Sequence, residues 1–179
     1  MPTFRVRRGG AADVDTLVAQ RVAMHVELNR PTPAELRLGA RQYRRWMRDQ
    51  IRKKQLVVFI AETQDGEVAA GGLVWLRESS PRPGSPYHRL PRIHSMYTRP
   101  EFRQKGAATL IVREGIRWAR SHGYPRISLQ TTPQARNVYA RAGFREVAEM
   151  QLDLRSRRSA RGSTDLHLRP PRSGQATPT

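Results

Sequence analysis

The 179-residue chain contains no cysteine, which excludes disulfide bonds, thiolate metal ligands and a cysteine nucleophile. It also contains no stretch close to the roughly 20 consecutive apolar residues that are needed to span a bilayer. Its first residues lack the apolar core of a secretory signal. We therefore expect a cytoplasmic protein without a membrane segment or a metal site, whose core is stabilised by packing alone.

Acidic residues are scarce, because 15 aspartates and glutamates stand against 33 lysines and arginines, and the formal net charge is +18. Lysine is scarce too, since all of the basic residues except Lys53, Lys54 and Lys105 are arginine. The resulting field attracts polyanions, acidic surfaces and phosphorylated cofactors without choosing among them. The arginine excess is as compatible with a codon bias of the encoding genome as with selection for anion binding.

The chain length fits one domain of ordinary size with its own core, followed by a tail. After Leu154 the hydrophobic pattern ends, and the remainder holds six arginines, one aspartate and a proline-rich end. This composition is typical of disorder. We predict a folded domain over residues 1–154 and a disordered basic tail over residues 155–179.

Hydrophobic periodicity predicts a series of strands and helices along the domain. In chain order these are a strand at 4–7, helices between Val14 and Ile51, strands at 56–62 and 68–76 joined by a two-residue hairpin turn at Asp65-Gly66, a strand at 93–98, a helix after Gly106, a strand at 127–130, a short helix carrying Tyr139 and a last strand pair at 144–154. The strand, helix, strand order from Ile93 to Gln130 is a parallel crossover. The predicted fold class is therefore α/β (α+β), with a mixed, mostly antiparallel central sheet flanked by helices.

The most informative motif is Arg103-Gln104-Lys105-Gly106-Ala107-Ala108, which lies between a predicted strand and a predicted helix. A strand that enters such a turn directs successive backbone N–H groups and the positive end of the helix at one point, which suits phosphate. Gly106 permits close backbone approach, the alanines keep bulk away, and Arg103 and Lys105 add positive charge. A single glycine in a basic turn is also common before an ordinary helix.

In its sequence context this turn resembles the acetyl-CoA-binding motif of the GNAT acetyltransferase superfamily, Arg/Gln-x-x-Gly-x-Gly/Ala, with Arg103, Gly106 and Ala108 at its defined positions. The resemblance covers about residues 5–154 and includes the Tyr-x-x-x-Gly-Phe that begins at Tyr139. It implies the acyl-CoA N-acyltransferase fold, acetyl-CoA as cosubstrate and N-acetyltransferase activity. Whether the donor carries acetyl or a longer acyl group is left open.

The resemblance also implies how the cosubstrate is held. In that family the pyrophosphate rests on the turn, and the pantetheine arm pairs with the preceding strand where two parallel strands splay apart. The implied cofactor-binding residues are Met96, Tyr97 and Thr98 on the strand and Arg103, Gln104, Lys105, Gly106, Ala107 and Ala108 in the turn. Where the family often has an asparagine that contacts pantetheine, this chain has Thr132, whose hydroxyl can still hydrogen-bond and which we include.

Direct attack of an amine on a thioester needs a proton for the departing thiolate, and by resemblance Tyr139 is this general acid. A purely structural role, packed against Phe144, is the alternative for Tyr139. His94 is the best candidate for a general base, because some members of the family place a histidine on this strand and imidazole titrates near neutrality. A partly buried, hydrogen-bonded histidine is the alternative reading of His94. Strand alternation predicts that His94, Met96 and Thr98 share one face of the sheet.

The acceptor is left open among a small amine, an antibiotic, an amino acid and a protein terminus. The second helix carries an arginine stripe that suits either an acidic acceptor or a plainly solvated face. The stripe comprises Arg37, Arg41, Arg44, Arg45, Arg48 and Arg52. With the basic tail it motivates an alternative function, a nucleic-acid- or ribosome-associated binding protein on an acyl-CoA-binding fold, although no nucleic-acid-binding motif accompanies the charge. Homodimerisation is also left open.

Overall fold

The computed structural model describes residues 3–29, 31–80, 83 and 86–150. Met1–Arg145 form one compact unit, and residues 146–150 are the described part of a second unit, Glu146–Thr179. The predicted boundary between domain and tail, at residues 154 and 155, lies outside the described residues. No helix in the described ranges is long and apolar enough to cross a membrane.

The described residues form four strands and four helices, in the order of one strand, two helices, three strands and two helices. The strands are β1 (Arg5–Gly9), β2 (Leu56–Glu62), β3 (Val68–Glu78) and β4 (Arg89–Thr98), and the helices are α1 (Val14–Asn29), α2 (Pro33–Arg52), α3 (Ala107–Ser121) and α4 (Arg136–Arg141). Single 3-10 turns at Ala11–Asp13, Pro100–Phe102 and Pro133–Ala135 precede α1, α3 and α4. The four strands form one antiparallel sheet in the order β1-β2-β3-β4.

The hairpin between β2 and β3 forms where it was predicted, but its turn is one residue longer than the predicted two-residue turn. The N–H of Gly66 donates to the carbonyl of Thr63 at 3.1 Å, and the N–H of Thr63 donates to the carbonyl of Glu67 at 2.9 Å. Gly66 has a φ of 83°. A tight turn followed by one left-handed residue is the usual form of a three-residue hairpin loop.

The predicted parallel crossover is confirmed as a single bridge instead of a full strand at 127–130. Arg92 and Ser128 form this parallel bridge. The N–H of Ile93 donates to the carbonyl of Ser128 at 2.8 Å, and the N–H of Ser128 donates to the carbonyl of Pro91 at 3.1 Å. Among the described residues no strand continues the pairing beside β4 beyond Ile93, so the edge of β4 from His94 to Thr98 is open on this side.

Helices cover both faces of the sheet, and each face has its own buried cluster. α1 and α2 cover one face, whose cluster is Val14, Leu17, Val18, Met47, Leu56, Val58, Ile60 and Leu73. α3 and α4 cover the other face, whose cluster is Val57, Phe59, Ala61, Ala69, Ala70, Val74, Ile93, Ala107, Ile111, Val112 and Tyr139. Successive residues of β2 alternate between the two clusters, which explains its uninterrupted hydrophobic run.

The first half of the predicted last strand pair does not form. Residues 144–150 are neither helix nor strand. Val147 and Met150 are 87% and 98% exposed, so their side chains bury little surface that would offset the entropy cost of ordering a strand. Residues 151–154 of the same prediction lie outside the described residues.

Candidate active site

The turn between β4 and α3 reverses the chain through two left-handed residues. Gln104 has a φ of 60° and Gly106, the N-cap of α3, a φ of 95°. The N–H of Leu110 donates to the carbonyl of Gly106 at 3.1 Å as the first hydrogen bond of α3. The N–H groups of the three preceding helical residues therefore have no helical acceptor, and they point out of the positive end of α3.

Space is available in front of these donors. A Cβ built on Gly106 would meet no atom within 4 Å, so glycine is needed here for its φ and not because of crowding. Residues 103–106 are exposed, whereas Ala107 is buried against the sheet and fixes the start of α3. The arrangement fits an anion such as pyrophosphate.

The two cations of the turn have protein partners. The Nη2 of Arg103 donates to both carboxylate oxygens of Glu27 on α1 at 2.8 Å, and its Nε donates to the carbonyl of Thr98 at 3.0 Å. The Nζ of Lys105 donates to the carbonyl of Glu101 at 2.8 Å. Mainly through its hydrogen bond with Arg103, Glu27 has a pKa below its ordinary value. Glu27 therefore ties the turn to α1 and neutralises part of its charge.

β4 contains a bulge at Ser95 and Met96, where the residues predicted to contact pantetheine begin. Leu73 of β3 pairs with His94, whereas Gly71 pairs with Tyr97, so that Ser95 and its successor lie opposite one residue of β3. Ser95 has a φ of 50°, a conformation that few residues other than glycine adopt. Bulges of this kind redirect side chains locally.

Because of the bulge, the prediction that His94 shares a face with Met96 and Thr98 is wrong. His94 lies on the α1/α2 face, where its ring centroid is 5.9 Å from that of Trp46. Met96 lies on the other face, since a Cβ built on Gly72 would come within 2.2 Å of the Met96 Sδ and 2.8 Å of Ile111 on α3. Alternation predicts side-chain direction only where the strand is regular.

His94 is surrounded by aromatic rings and one guanidinium. Its Nε2 lies 3.4 Å from the Nη1 of Arg21, and the centroid of the Trp75 ring lies 6.0 Å from that of its own ring. Burial, followed by the charge of Arg21, lowers the pKa of His94 to about 4. A neighbouring cation opposes protonation of the imidazole, so the surroundings favour the hydrogen-bonded alternative over the predicted base.

Tyr139 lies on α4, on the opposite face of the sheet from His94. Its ring packs edge-to-face on Phe144 with centroids 5.9 Å apart, and the side chain is 8% exposed. None of the described residues hydrogen-bonds its hydroxyl, and burial alone raises the pKa of Tyr139 to about 12. The phenol therefore keeps its proton at neutral pH.

Thr132 is the N-cap residue of the 3-10 turn before α4. Its carbonyl accepts from the N–H groups of Ala135 and Arg136 at 3.1 Å each. Its side chain forms no capping hydrogen bond. Thr132 positions the start of the segment that carries Tyr139, and its predicted contact with pantetheine stays a prediction.

Sequence reasoning missed a polar cluster on the α1/α2 face. The Ser95 Oγ accepts from the Nη1 of Arg21 at 2.6 Å and from the hydroxyl of Tyr43 at 2.8 Å. The guanidinium of Arg21 also lies 4.3 Å from the centroid of the Tyr43 ring. An arginine at apolar spacing in the first helix was a usable signal for Arg21, whereas nothing in the sequence marks the bulge that turns Ser95 toward it.

Comparisons with known proteins agree with this architecture. Residues 22–144 match the Acetyltransferase (GNAT) family. Among solved structures, the chain is similar to a GCN5-related N-acetyltransferase from Ralstonia eutropha, with 20% identity, 85% of this chain and 99% of that chain covered, and a TM-score of 0.75. A predicted acetyltransferase from Clostridium acetobutylicum, solved with acetyl-CoA, has 22% identity, 85% and 97% coverage, and a TM-score of 0.74.

The name of a third similar protein specifies its acceptor. This protein is a glucosamine-6-phosphate N-acetyltransferase from Arabidopsis thaliana, with 19% identity, 84% of this chain and 97% of that chain covered, and a TM-score of 0.62. No curated protein sequence matches the chain. The family match covers more than half of the chain and includes both the turn before α3 and Tyr139. This chain therefore belongs to the GNAT family of acetyltransferases.

Proposed function

We propose that the protein transfers an acetyl group from acetyl-CoA to a primary amine by direct attack, with Tyr139 as the general acid. The observation that carries the proposal is the set of N–H donors before α3, which lies directly beyond the open edge of β4. The family match and the similar Clostridium acetobutylicum structure with acetyl-CoA support the identity of the donor.

The residues of this chain fit the two halves of coenzyme A. The turn from Arg103 to Ala108 would hold the pyrophosphate through backbone N–H groups and the end of the α3 dipole. Met96, Tyr97 and Thr98 would pair with the amides of pantetheine, which need backbone partners as a strand does. Acetyl-CoA supplies the activated acyl group.

Tyr139 would supply the proton that the leaving thiol requires. A phenol with a pKa of about 12 is fully protonated at neutral pH and can therefore act as a proton donor. Because burial and the charge of Arg21 lower the pKa of His94 to about 4, we assign His94 to holding Arg21 and not to taking a proton from the amine. The attacking amine then loses its proton to solvent.

A thermal denaturation experiment tests the donor. Acetyl-CoA binds the native state only, so saturating acetyl-CoA should raise the melting temperature by mass action. Coenzyme A without the acetyl group should also stabilise the protein, whereas adenosine alone should stabilise it far less. A melting temperature unaffected by acetyl-CoA at millimolar concentration would contradict the proposal.

A second candidate function is binding of nucleic acid, in place of or beside catalysis. Arg37, Arg41 and Arg45 follow one another at four-residue spacing on α2, are exposed, and have no carboxylate partner among the described residues. By contrast, the Nε of Arg44 lies 2.6 Å from the carboxylate of Asp15. RNA binding through such a stripe should weaken steeply between 50 and 200 mM salt. Replacing the three free arginines with glutamine should weaken this binding and reduce its salt dependence, and it should leave acetyl-CoA stabilisation unchanged.

A further inference from the structure

A cavity of about 330 Å³ lies between α1 and α2, on the face of the sheet away from Tyr139. Its walls are largely apolar and include Val22, Leu36 and Ala40. Arg21 and Tyr43 line it as well. The volume is sufficient for a small organic molecule with an apolar body and one polar end.

Arg21 is the charged group at the polar end, and its partners are all neutral. It contacts the Ser95 Oγ at 2.6 Å, the His94 Nε2 at 3.4 Å and the Tyr43 ring at 4.3 Å. No carboxylate among the described residues pairs with it, in contrast to Arg7, whose guanidinium lies 2.7 Å from both Asp13 and Glu62. A partly buried cation without a counterion is an unfavourable arrangement that an anionic ligand would relieve.

Glu35 also lines the cavity, but its carboxylate is already engaged. It accepts from the N–H of Thr32 at 2.8 Å and from the Thr32 Oγ at 2.7 Å, as part of the capping box of α2. These bonds hold the pKa of Glu35 below its ordinary value, so it remains an anion at the start of the helix. Glu35 is therefore committed to the helix cap and is not the counterion of Arg21.

The location of Arg21 connects the cavity with the proposed donor site. Ser95, which Arg21 contacts, directly precedes the strand residues proposed to pair with pantetheine. An anion bound at Arg21 is therefore held beside the bulge of β4, and an amine a few bonds from that anion lies close to the same edge. The planar fork of a guanidinium matches a carboxylate through two parallel hydrogen bonds.

We propose that Arg21 binds the carboxylate of the acceptor and that the acceptor is an α-amino acid with an apolar side chain, which occupies the cavity between α1 and α2. That the amine of this ligand is acetylated rests on the proposed function. That its carboxylate binds at Arg21 does not depend on the proposed function. Ser95, Tyr43 and His94 are positioning residues, because they orient the guanidinium.

Product binding tests the site without requiring turnover. N-acetyl-L-leucine and N-acetyl-L-leucinamide are titrated into the wild-type protein without coenzyme A, and binding is followed by NMR. We expect the acid to bind about 10- to 100-fold more tightly than the amide, which is the scale of a hydrogen bond to a charged group. Equal affinities, or no binding of the acid, would overturn the proposal whatever the enzyme does with acetyl-CoA.

Arg21→Gln should remove the difference in affinity between N-acetyl-L-leucine and N-acetyl-L-leucinamide. Acetyl-CoA should still raise the melting temperature of this variant, which also shows that it is folded. Arg44→Gln is the matched control, because it removes one positive charge from the same side of the molecule outside the cavity. Its preference for the acid should be unchanged. If Arg21→Gln does not fold, Arg21→Lys keeps the charge without the fork and should retain only part of the preference; full retention contradicts recognition through the fork.

Turnover provides a second readout. Free-thiol release from acetyl-CoA should show a kcat/KM for L-leucine at least 10-fold above that for L-leucinamide. Preference for a phosphate-bearing amine such as phosphoethanolamine would overturn the carboxylate assignment. Failure of acetyl-CoA to bind, together with selective binding of N-acetyl-L-leucine, would reject the proposed function and leave the anion site standing.

Discussion

The two faces of the sheet present polar chemistry in different ways. On the α3/α4 face the groups proposed to bind acetyl-CoA are mainly backbone N–H donors, and the sequence must supply little more than Gly106 with its φ of 95°. On the α1/α2 face the polar groups are side chains from three elements, Arg21, Tyr43 and His94, which meet at the β4 bulge. A binding site made of backbone groups can be recognised in the sequence by a short motif. A site made of side chains from several elements can be assembled in many ways, so it leaves no such motif.

The largest effect is expected from a substitution that disrupts the backbone site before α3 and leaves the α1/α2 face unchanged. Gly106→Glu forces a side chain into a left-handed conformation and places a negative charge where phosphate is proposed to bind, so acetyl-CoA binding should be abolished. Calorimetric titration measures the loss. Gly66→Glu is the matched control, since Gly66 has a similar φ of 83° and equally open surroundings but lies in the β2–β3 hairpin. Undiminished binding by the Gly106 variant would refute the role of the turn.

Tyr139→Phe separates chemistry from binding on the same face. Removing the hydroxyl keeps the ring that packs on Phe144 but removes the proton donor, so turnover should fall by about 100-fold or more. The affinity for acetyl-CoA should remain nearly unchanged. Tyr124→Phe serves as the control, because Tyr124 is a partly buried tyrosine outside the proposed site that packs on Trp118. Steady-state rates equal to those of the wild type would show that Tyr139 is structural only.

The pH dependence of the free energy of unfolding tests the surroundings of His94 on the α1/α2 face. The pKa of His94 is about 4 in the folded state and about 6.5 when unfolded, so the unfolded chain binds the extra proton between these values. The free energy of unfolding should therefore decrease as pH falls through this window, by at most about 3 kcal/mol from His94. Urea unfolding at pH 7 and pH 4.5 measures it. Between pH 7 and pH 4.5, the free energy of unfolding should decrease less for His94→Gln than for the wild type. Equal decreases would contradict a buried neutral His94.

The smallest expected effect concerns the contact that joins the two faces. Glu27 on α1 holds Arg103 and also accepts a hydrogen bond from the Tyr97 hydroxyl at 2.9 Å. Glu27→Gln removes a negative charge beside the turn and releases the guanidinium for phosphate. We expect acetyl-CoA to bind up to about 5-fold more tightly, the scale of one exposed ion pair. Weaker binding would mean that Glu27 is needed to position Arg103.

Sequence patterns predicted the elements that depend on local rules. The amphipathic α2, the start of α3 after Gly106 and the short helix carrying Tyr139 are all observed, because spacing, capping and left-handed glycines act within a few residues. The family motif likewise identified the turn and the fold. The faces of β4 were predicted incorrectly, because the bulge at Ser95 depends on its pairing with β3 and not on its own neighbours.

The same reason limits what could be predicted about the acceptor side. Arg21 and Tyr43 are separated along the chain and meet only because α1 and α2 pack on one face of the sheet. Neither residue belongs to a motif. The segment at 127–130 was predicted as a strand, yet it forms only one bridge with β4, between Arg92 and Ser128.

Release of free thiol from acetyl-CoA tests the central claim most directly. The wild-type protein is incubated with acetyl-CoA and a panel of primary amines that includes L-leucine, and the thiol is measured together with the acetylated amine. We predict that thiol appears only when an acceptor amine is present and that one acetylated amine forms per thiol. Binding of acetyl-CoA without thiol release for any amine in the panel would contradict acetyl transfer and leave a catalytically silent acyl-CoA-binding fold.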